Sequence, residues 1–237
     1  MRGWIALLAL GVAGPGAAGE LGDVPFWQES RGCWVSESSY FKPDMDYNLK
    51  SYASILCVTL EAGVMRETEI KYYPAGPMAS GYAGGALQPG EGVEVVNVTE
   101  GRQLDEAGRV RLVRAVPVFG PDAEVTEIVP VSADTALRET RPAGAAHDSY
   151  RMIISMPAPD RRYRLNLGLV SAGEGEQVAG DLRGFSIFRE RRVDEADVAA
   201  LRALMRERFA VGVVVTADEA GKPVRQRRGA GGADQGT

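Results

Sequence analysis

The chain has one histidine, His147, two cysteines, and an aromatic content of only 7% over 237 residues. These shortages exclude a Cys/His zinc centre, a haem held by two histidines, and a Ser-His-Asp system anywhere but at His147. No metal and no cofactor is expected. Positive charge is short as well. Lys and Arg number 27 against 32 Asp and Glu, a formal net charge of −5, whereas a phosphate-binding partner needs a basic face. A nucleic-acid partner is therefore not expected. No segment approaches the ~20 apolar residues of a membrane-spanning helix, so no transmembrane segment is expected either. The composition, 45% hydrophobic and 25% charged, suits a globular domain with one sizeable core.

Met1 and Arg2, an apolar run over residues 4–12 and a small-residue stretch over 13–19 follow the order of a secretory signal peptide. Cleavage near Ala18 or Gly19 is expected, and a buried first helix is the alternative. No cysteine follows the small residues, so a lipid anchor is not expected. The mature protein is then periplasmic or secreted. In such an oxidising compartment Cys33 and Cys57 are expected to pair, with two free buried thiols as the alternative.

The mature chain alternates polar and apolar residues over 32–40, 51–60 and 64–73, a three-strand antiparallel meander. If a tight turn at Ala62 sets Leu60 opposite Val64, then Val58 faces Arg66, Leu56 faces Thr68 and Tyr52 faces Tyr72. Met65, Glu67, Glu69 and Lys71 then form an outer, solvated face. Carried back through the first loop, the pairing sets Cys33 opposite Cys57 and Trp34 opposite Leu56.

A Gly/Pro-rich insertion at 74–92 interrupts the pattern with irregular chain. Strand-like runs resume at 92–99, 109–118, 124–131, 150–156, 163–170 and 182–190, which makes about nine strands and no helix before the C-terminal region. There Asp194 is expected to cap a helix over about 195–209, with Val198, Leu201, Leu204, Met205 and Phe209 as its apolar stripe. The run 211–215 suits a last strand. Residues 218–237 are low in apolar side chains and are expected to be a disordered tail, so the barrel domain covers 20–217.

Gly32-Cys33-Trp34 preceded by Phe26, an arginine closing the last long strand in Ile187-Phe188-Arg189, and the capped C-terminal helix together resemble the lipocalin superfamily within the calycins. The resemblance implies a mainly β fold, a closed antiparallel barrel with one C-terminal α-helix packed on it, holding a small ligand. It also implies structural roles for three residues: Gly32 bends the chain at the closed end, Trp34 plugs that end, and Arg189 covers the tryptophan. The family's middle motif is matched only by 146–150. The insertion at 74–92 departs from the family, and so does the lack of a lipoprotein cysteine.

On this reading the cavity wall includes Tyr52, Ser54, Leu56, Val58, Val64, Arg66, Thr68, Ile70 and Tyr72, which makes Tyr52, Leu56, Val58, Arg66, Thr68, Ile70 and Tyr72 the candidate ligand-binding residues. An inward Arg66 would pair the carboxylate or phosphate of an amphiphile; a solvated arginine at an open rim, or one paired with an internal carboxylate, is the alternative. Tyr47, Tyr72, Tyr73 and Tyr82 gather near the first loop and the insertion, where they could gate a mouth or simply pack. Catalytic residues are not expected: His147 and Asp148 are adjacent and would point to opposite faces of a strand, and Glu67 and Glu69 read as solvated. Binding or carriage of a small hydrophobic or amphipathic ligand leads. A filled barrel that contacts a protein partner in the envelope is the second class, and a calycin-like isomerase or hydratase the third.

Overall fold

A computed structural model describes residues 20–41, 50–116, 125–141, 149–169 and 182–229. The expected signal segment 1–19 lies outside the described residues, as do Tyr47, His147 and Asp148. A 3-10 turn at Leu21–Asp23 leads into helix α1, Pro25–Ser30, and then into β1 (Gly32–Phe41), β2 (Lys50–Glu61) and β3 (Val64–Tyr73). Helix α2 (Pro77–Ala83) precedes β4 (Gly92–Gln103), β5 (Val110–Val116), β6 (Val125–Pro130) and β7 (Thr135–Arg141). Strands β8 (Ser149–Ala158), β9 (Arg161–Leu169) and β10 (Leu182–Val193) follow. Helix α3 (Val198–Arg208), β11 (Val211–Ala217) and β12 (Pro223–Arg227) complete the order.

Each strand from β1 to β9 pairs antiparallel with the next, and β10 returns to β1, so ten strands close into an antiparallel barrel. The expected fold class is observed, with ten strands in the ring where lipocalins have eight. Strand β4 serves two neighbours: its second half pairs with β5 to close the ring, and its first half pairs in parallel with β11, which carries β12 on its other edge.

The first hairpin has the expected register. Trp34 lies opposite Leu56 and Cys33 opposite Cys57, and the two cysteines form a disulfide. The second hairpin is shifted by one residue: Leu60 lies opposite Met65, because the turn takes two residues, Ala62 and Gly63, both at positive φ (44° and 76°). A one-residue slip exchanges the two faces of a strand. Met65, Glu67, Glu69, Lys71 and Tyr73 therefore point into the barrel, and Arg66, Thr68, Ile70 and Tyr72 point out of it.

Three apolar clusters hold the structure. One end of the barrel is plugged by Leu21, Phe26 and Trp27 from the N-terminal turns, packed on Trp34, Leu56, Val58, Met65 and Ile154. Trp27 Nε1 donates to the carbonyl of Gly108 (2.7 Å) and Trp34 Nε1 to that of Ser30 (3.1 Å), so both indoles are satisfied where they are buried. At the other end Tyr52, Tyr73 and Phe188 pack with α2 and with Val93, Val213 and Val215. Outside the wall, α3 seals Val35, Ala53, Ile55, Ile70, Tyr72 and Val214.

Four expectations about elements are corrected. The 74–92 segment is not wholly irregular: Pro77 starts α2, Gly84 closes it in the left-handed region, and Ala79 and Ala83 let it approach the sheet closely. Strand β7 escaped detection because its inward positions Ala136, Arg138 and Thr140 break the apolar alternation. The tail is ordered as far as β12, through polar contacts: Arg225 donates to the carbonyl of Tyr82 (2.9 Å), and Arg227 to that of Ala86 (2.6 Å) and to Glu91 (2.9 Å). Asp194 makes no side-chain cap; a 3-10 turn, Glu195–Asp197, leads into α3, and Leu204 of the expected stripe is 58% exposed.

Helix α3 is fastened by charge. Glu94, fully buried on β4, accepts from Arg202 (2.5 Å) and Arg206 (2.7 Å), and although burial pushes its pKa up, the two guanidinium groups outweigh this and hold it below the usual range. Among the described residues no helix is long and apolar enough to cross a membrane.

Candidate functional site

Inside the barrel, between the plugged end and the aromatic end, lies a belt of charge. Glu67 and Glu69 on β3 meet arginines from the opposite wall: Arg138 on β7 donates to Glu67 (3.1 Å) and Arg164 on β9 donates to Glu69 (2.8 Å). Lys71 stands 3.2 Å from Glu69, Arg164 stands 2.7 Å from Glu190 on β10, and Arg162 also pairs with Glu190. Glu190 and Arg162 are almost wholly enclosed, and the Arg164 side chain is 6% exposed. Burying such ions in apolar surroundings costs several kcal/mol each, which their mutual attraction offsets only while every partner stays in place.

The charges do not balance. Lys71, Arg138, Arg162 and Arg164 face Glu67, Glu69 and Glu190, which is four positive against three negative within this belt. Burial raises the Glu69 pKa, but Lys71 and Arg164 outweigh it and hold the carboxyl well below its ordinary range. For Arg164 burial acts downward, yet Glu190 and Glu69 prevail and hold it further into the protonated form. Two guanidinium atoms, Arg162 Nη2 and Arg164 Nε, are buried without a hydrogen-bond partner.

Beside this belt is a cavity of about 230 Å³ lined by Tyr52, Glu69, Lys71, Arg138, Thr140, Met152, Arg164, Asn166 and Phe188. Its wall carries three cationic side chains and one carboxylate. It is smaller than the roughly 300–1,000 Å³ that encloses a drug-sized ligand, so it suits a compact molecule or the head of a longer one. Tyr52, Tyr73 and Tyr82 form a chain of ring contacts at 5.1 and 4.8 Å that leads from the lumen to α2, and Arg164 lies 4.3 Å over the Phe188 ring. Burial drives the Tyr73 hydroxyl far above its ordinary pKa, with Tyr82 and Tyr52 adding to the effect, so it stays protonated.

Of the expected ligand-binding residues, only Tyr52 lines this cavity. Leu56 and Val58 point inward but are consumed by the apolar plug. Arg66 is corrected outright: it is exposed on the outer wall and pairs with Glu100 at 2.6 Å. Thr68 shares that outer face, and Ile70 and Tyr72 lie beneath α3. The cause is the one-residue slip in the second hairpin. It also brings in Glu67, Glu69 and Lys71, which the sequence reading had assigned to solvent.

Trp34 does sit in the plug, but the covering arginine is not Arg189. Arg189 is exposed and outward, whereas Arg192, three positions on and therefore inward, lies 4.4 Å over the indole, with Arg162 at 4.5 Å. Arg192 also donates to the carbonyls of Pro159 (2.7 Å), Arg31 (2.7 Å) and Glu29 (2.5 Å), which ties α1 to the barrel end. Gly32 is at φ 103°, and a Cβ there would lie 3.2 Å from the Arg192 guanidinium.

No protein-family model matches the sequence, and no curated protein matches it. Among solved structures the chain is similar to an S-type phycobiliprotein lyase from Guillardia theta, at 17% identity and a TM-score of 0.47 over 72% of this chain and 92% of that one. It is also similar to the protein EF1p2_mFAP2b bound to DFHBI, at 8% identity and a TM-score of 0.35 over 72% and 100% of the two chains. A protein of unknown function from the DUF3598 family of Nostoc punctiforme aligns at 10% identity with a TM-score of 0.25, over 71% and 98%.

Proposed function

We propose that the barrel binds or carries a small amphipathic molecule, with an oxyanion such as a carboxylate seated against Lys71, Arg138 and Arg164. The observation that carries this is the cavity itself, lined by Lys71, Arg138, Arg164 and one carboxylate, Glu69, within a belt that holds one more cation than carboxylates. An incoming anion would take up the excess charge and give the guanidinium groups the bidentate partner their geometry favours. Tyr52, Met152 and Phe188 would meet the apolar part. Binding rather than turnover is the reading, because every carboxylate of the belt is already engaged by arginine or lysine and none is poised as an acid or base.

The Cys33–Cys57 bond supports a location outside the cytoplasm, periplasmic or secreted, in line with the signal-like N-terminus. The lipocalin resemblance supports the reading at the level of a closed, ligand-holding barrel. Calorimetric titration with a medium-chain fatty acid and with the matching fatty alcohol tests it. The acid binds at least about tenfold more tightly, and Lys71→Met removes most of that preference. Failure of both compounds to bind would instead favour a barrel filled by its own side chains and working through a protein partner.

A further inference from the structure

Helix α3 covers the outer wall over β1–β3, whereas among the described residues the outer wall of β6–β10 carries no such cover. Its aliphatic residues are aligned there. Val129 lies opposite Leu137, Leu137 opposite Ile153, Ile153 opposite Leu165, and Leu165 opposite Ile187, one outward row across five strands. Leu137 and Ile153 are 46% and 39% exposed, where a sheet face in contact with water ordinarily presents polar side chains.

Two further rows run parallel to it. In the first, Tyr163, 41% exposed, lies opposite Arg189; in the next, Arg161 lies directly opposite Arg191. Arg161 and Arg191 are exposed and have no ion-pair partner among the described side chains, whereas Arg189 lies opposite Glu37 on β1. Like charges directly opposed across two strands repel, and an anion between them would relieve the repulsion. A groove of about 560 Å³ joins these rows to the exposed Leu204 of α3. The chain as a whole is acidic, at −5, so this basic border runs against the average.

The order aliphatic, tyrosine, arginine is the order of depth at a water–membrane boundary: aliphatic side chains enter the acyl region, tyrosine lies at the headgroups, and arginine meets phosphate. We propose that the outer face of β7–β10 docks the barrel on an anionic lipid surface. A second copy paired about a two-fold axis along the strands would set one arginine row against the other, which disfavours that arrangement. The lumenal site plays no part in this contact.

The test is sedimentation of the purified protein with vesicles of phosphatidylglycerol mixed with phosphatidylcholine, against vesicles of phosphatidylcholine alone. Binding is expected on the mixed vesicles and to weaken with salt. The double variant Arg161→Ser/Arg191→Ser should lower the partition coefficient by roughly thirtyfold, and Leu137→Ser/Ile153→Ser should lower it as well, with circular dichroism unchanged in both. Lys71→Met, which alters only the lumen, should leave partition as it is. Equal partition on the two lipids would overturn the proposal, as would retention by the arginine variant or loss in Lys71→Met. Absence of vesicle binding together with a dimer that Leu137→Ser/Ile153→Ser disperses would overturn it in favour of self-association.

Discussion

Arg164 reaches across the barrel and donates to Glu69 at 2.8 Å, joining β9 to β3 through the lumen rather than along the sheet. The same guanidinium stands 2.7 Å from Glu190, so one side chain bridges two carboxylates, with Lys71 beside Glu69 and Arg162 beside Glu190 supplying the remaining charge. Arg164→Met should therefore destabilise the fold by about 3–5 kcal/mol, the usual cost of leaving buried charge uncompensated. Chemical denaturation followed by tryptophan fluorescence checks this, and Arg66→Met, on the exposed outer wall, should cost less than about 1 kcal/mol.

Acid should loosen the structure at a definable point. Glu69 and Glu94 are both held below the ordinary carboxyl value of 4.5, the first by Lys71 and Arg164 and the second by Arg206 and Arg202, each against the upward push of burial. A carboxyl whose folded pKa lies below its unfolded one contributes stability in full above the unfolded value and loses it as pH falls further. The melting temperature should then be nearly level from neutral pH to about 5 and fall steeply below 4.5. Glu94→Gln should be less stable at pH 7 and show a shallower acid slope, by calorimetry over that range.

The disulfide closes a loop with a sequence separation of 24. In the chain-entropy account it stabilises the fold by about 3 kcal/mol. Replacing Cys33 and Cys57 together by alanine should lower the melting temperature by roughly 10 °C. Reductant should lower that of the parent protein similarly and leave the variant unaffected.

At the barrel end, Arg192 and Arg189 should behave differently despite lying three residues apart. Arg192→Ala removes a cation over Trp34 and three hydrogen bonds to carbonyls, so a loss of about 2–4 kcal/mol is expected. Arg189→Ala should change stability by less than about 0.5 kcal/mol. Ala62, at φ 44° in the first position of its hairpin turn, is a place to gain: Ala62→Asn should add about 1 kcal/mol.

The strand-rich character of the chain, the first hairpin register and the Cys33–Cys57 bond were legible from the residues, because apolar alternation and a pair of cysteines constrain the same register, whereas the closed barrel and the place of Trp34 were implied by the lipocalin resemblance. The cavity was not legible, and the reason is local. Whether the turn spends one residue or two at Ala62-Gly63 decides which face of β3 is inside, and hydropathy points the wrong way: Glu67, Glu69 and Lys71 read as solvated, yet arginines from the opposite wall pair the two carboxylates inside, while Ile70 and Tyr72 on the outer face are covered by α3. The Ala62-Gly63 pair was the one available signal for a two-residue turn. The arginine over Trp34 was misplaced for a related reason: Arg189-Glu190-Arg191-Arg192 offers three candidates, and only the parity of the strand, set by Phe188 and Glu190 pointing inward, selects Arg192. Helix α2 and β12 were hidden because small residues and polar contacts order them, not an apolar stripe.

Native mass spectrometry of the protein isolated from its own compartment without detergent tests the central claim most directly. The account predicts an excess mass that organic extraction removes, identified as a small acid with an apolar body and absent from Lys71→Met. A bare mass, two hydrogens below the reduced chain for the Cys33–Cys57 bond, with no uptake of added fatty acid, would contradict it.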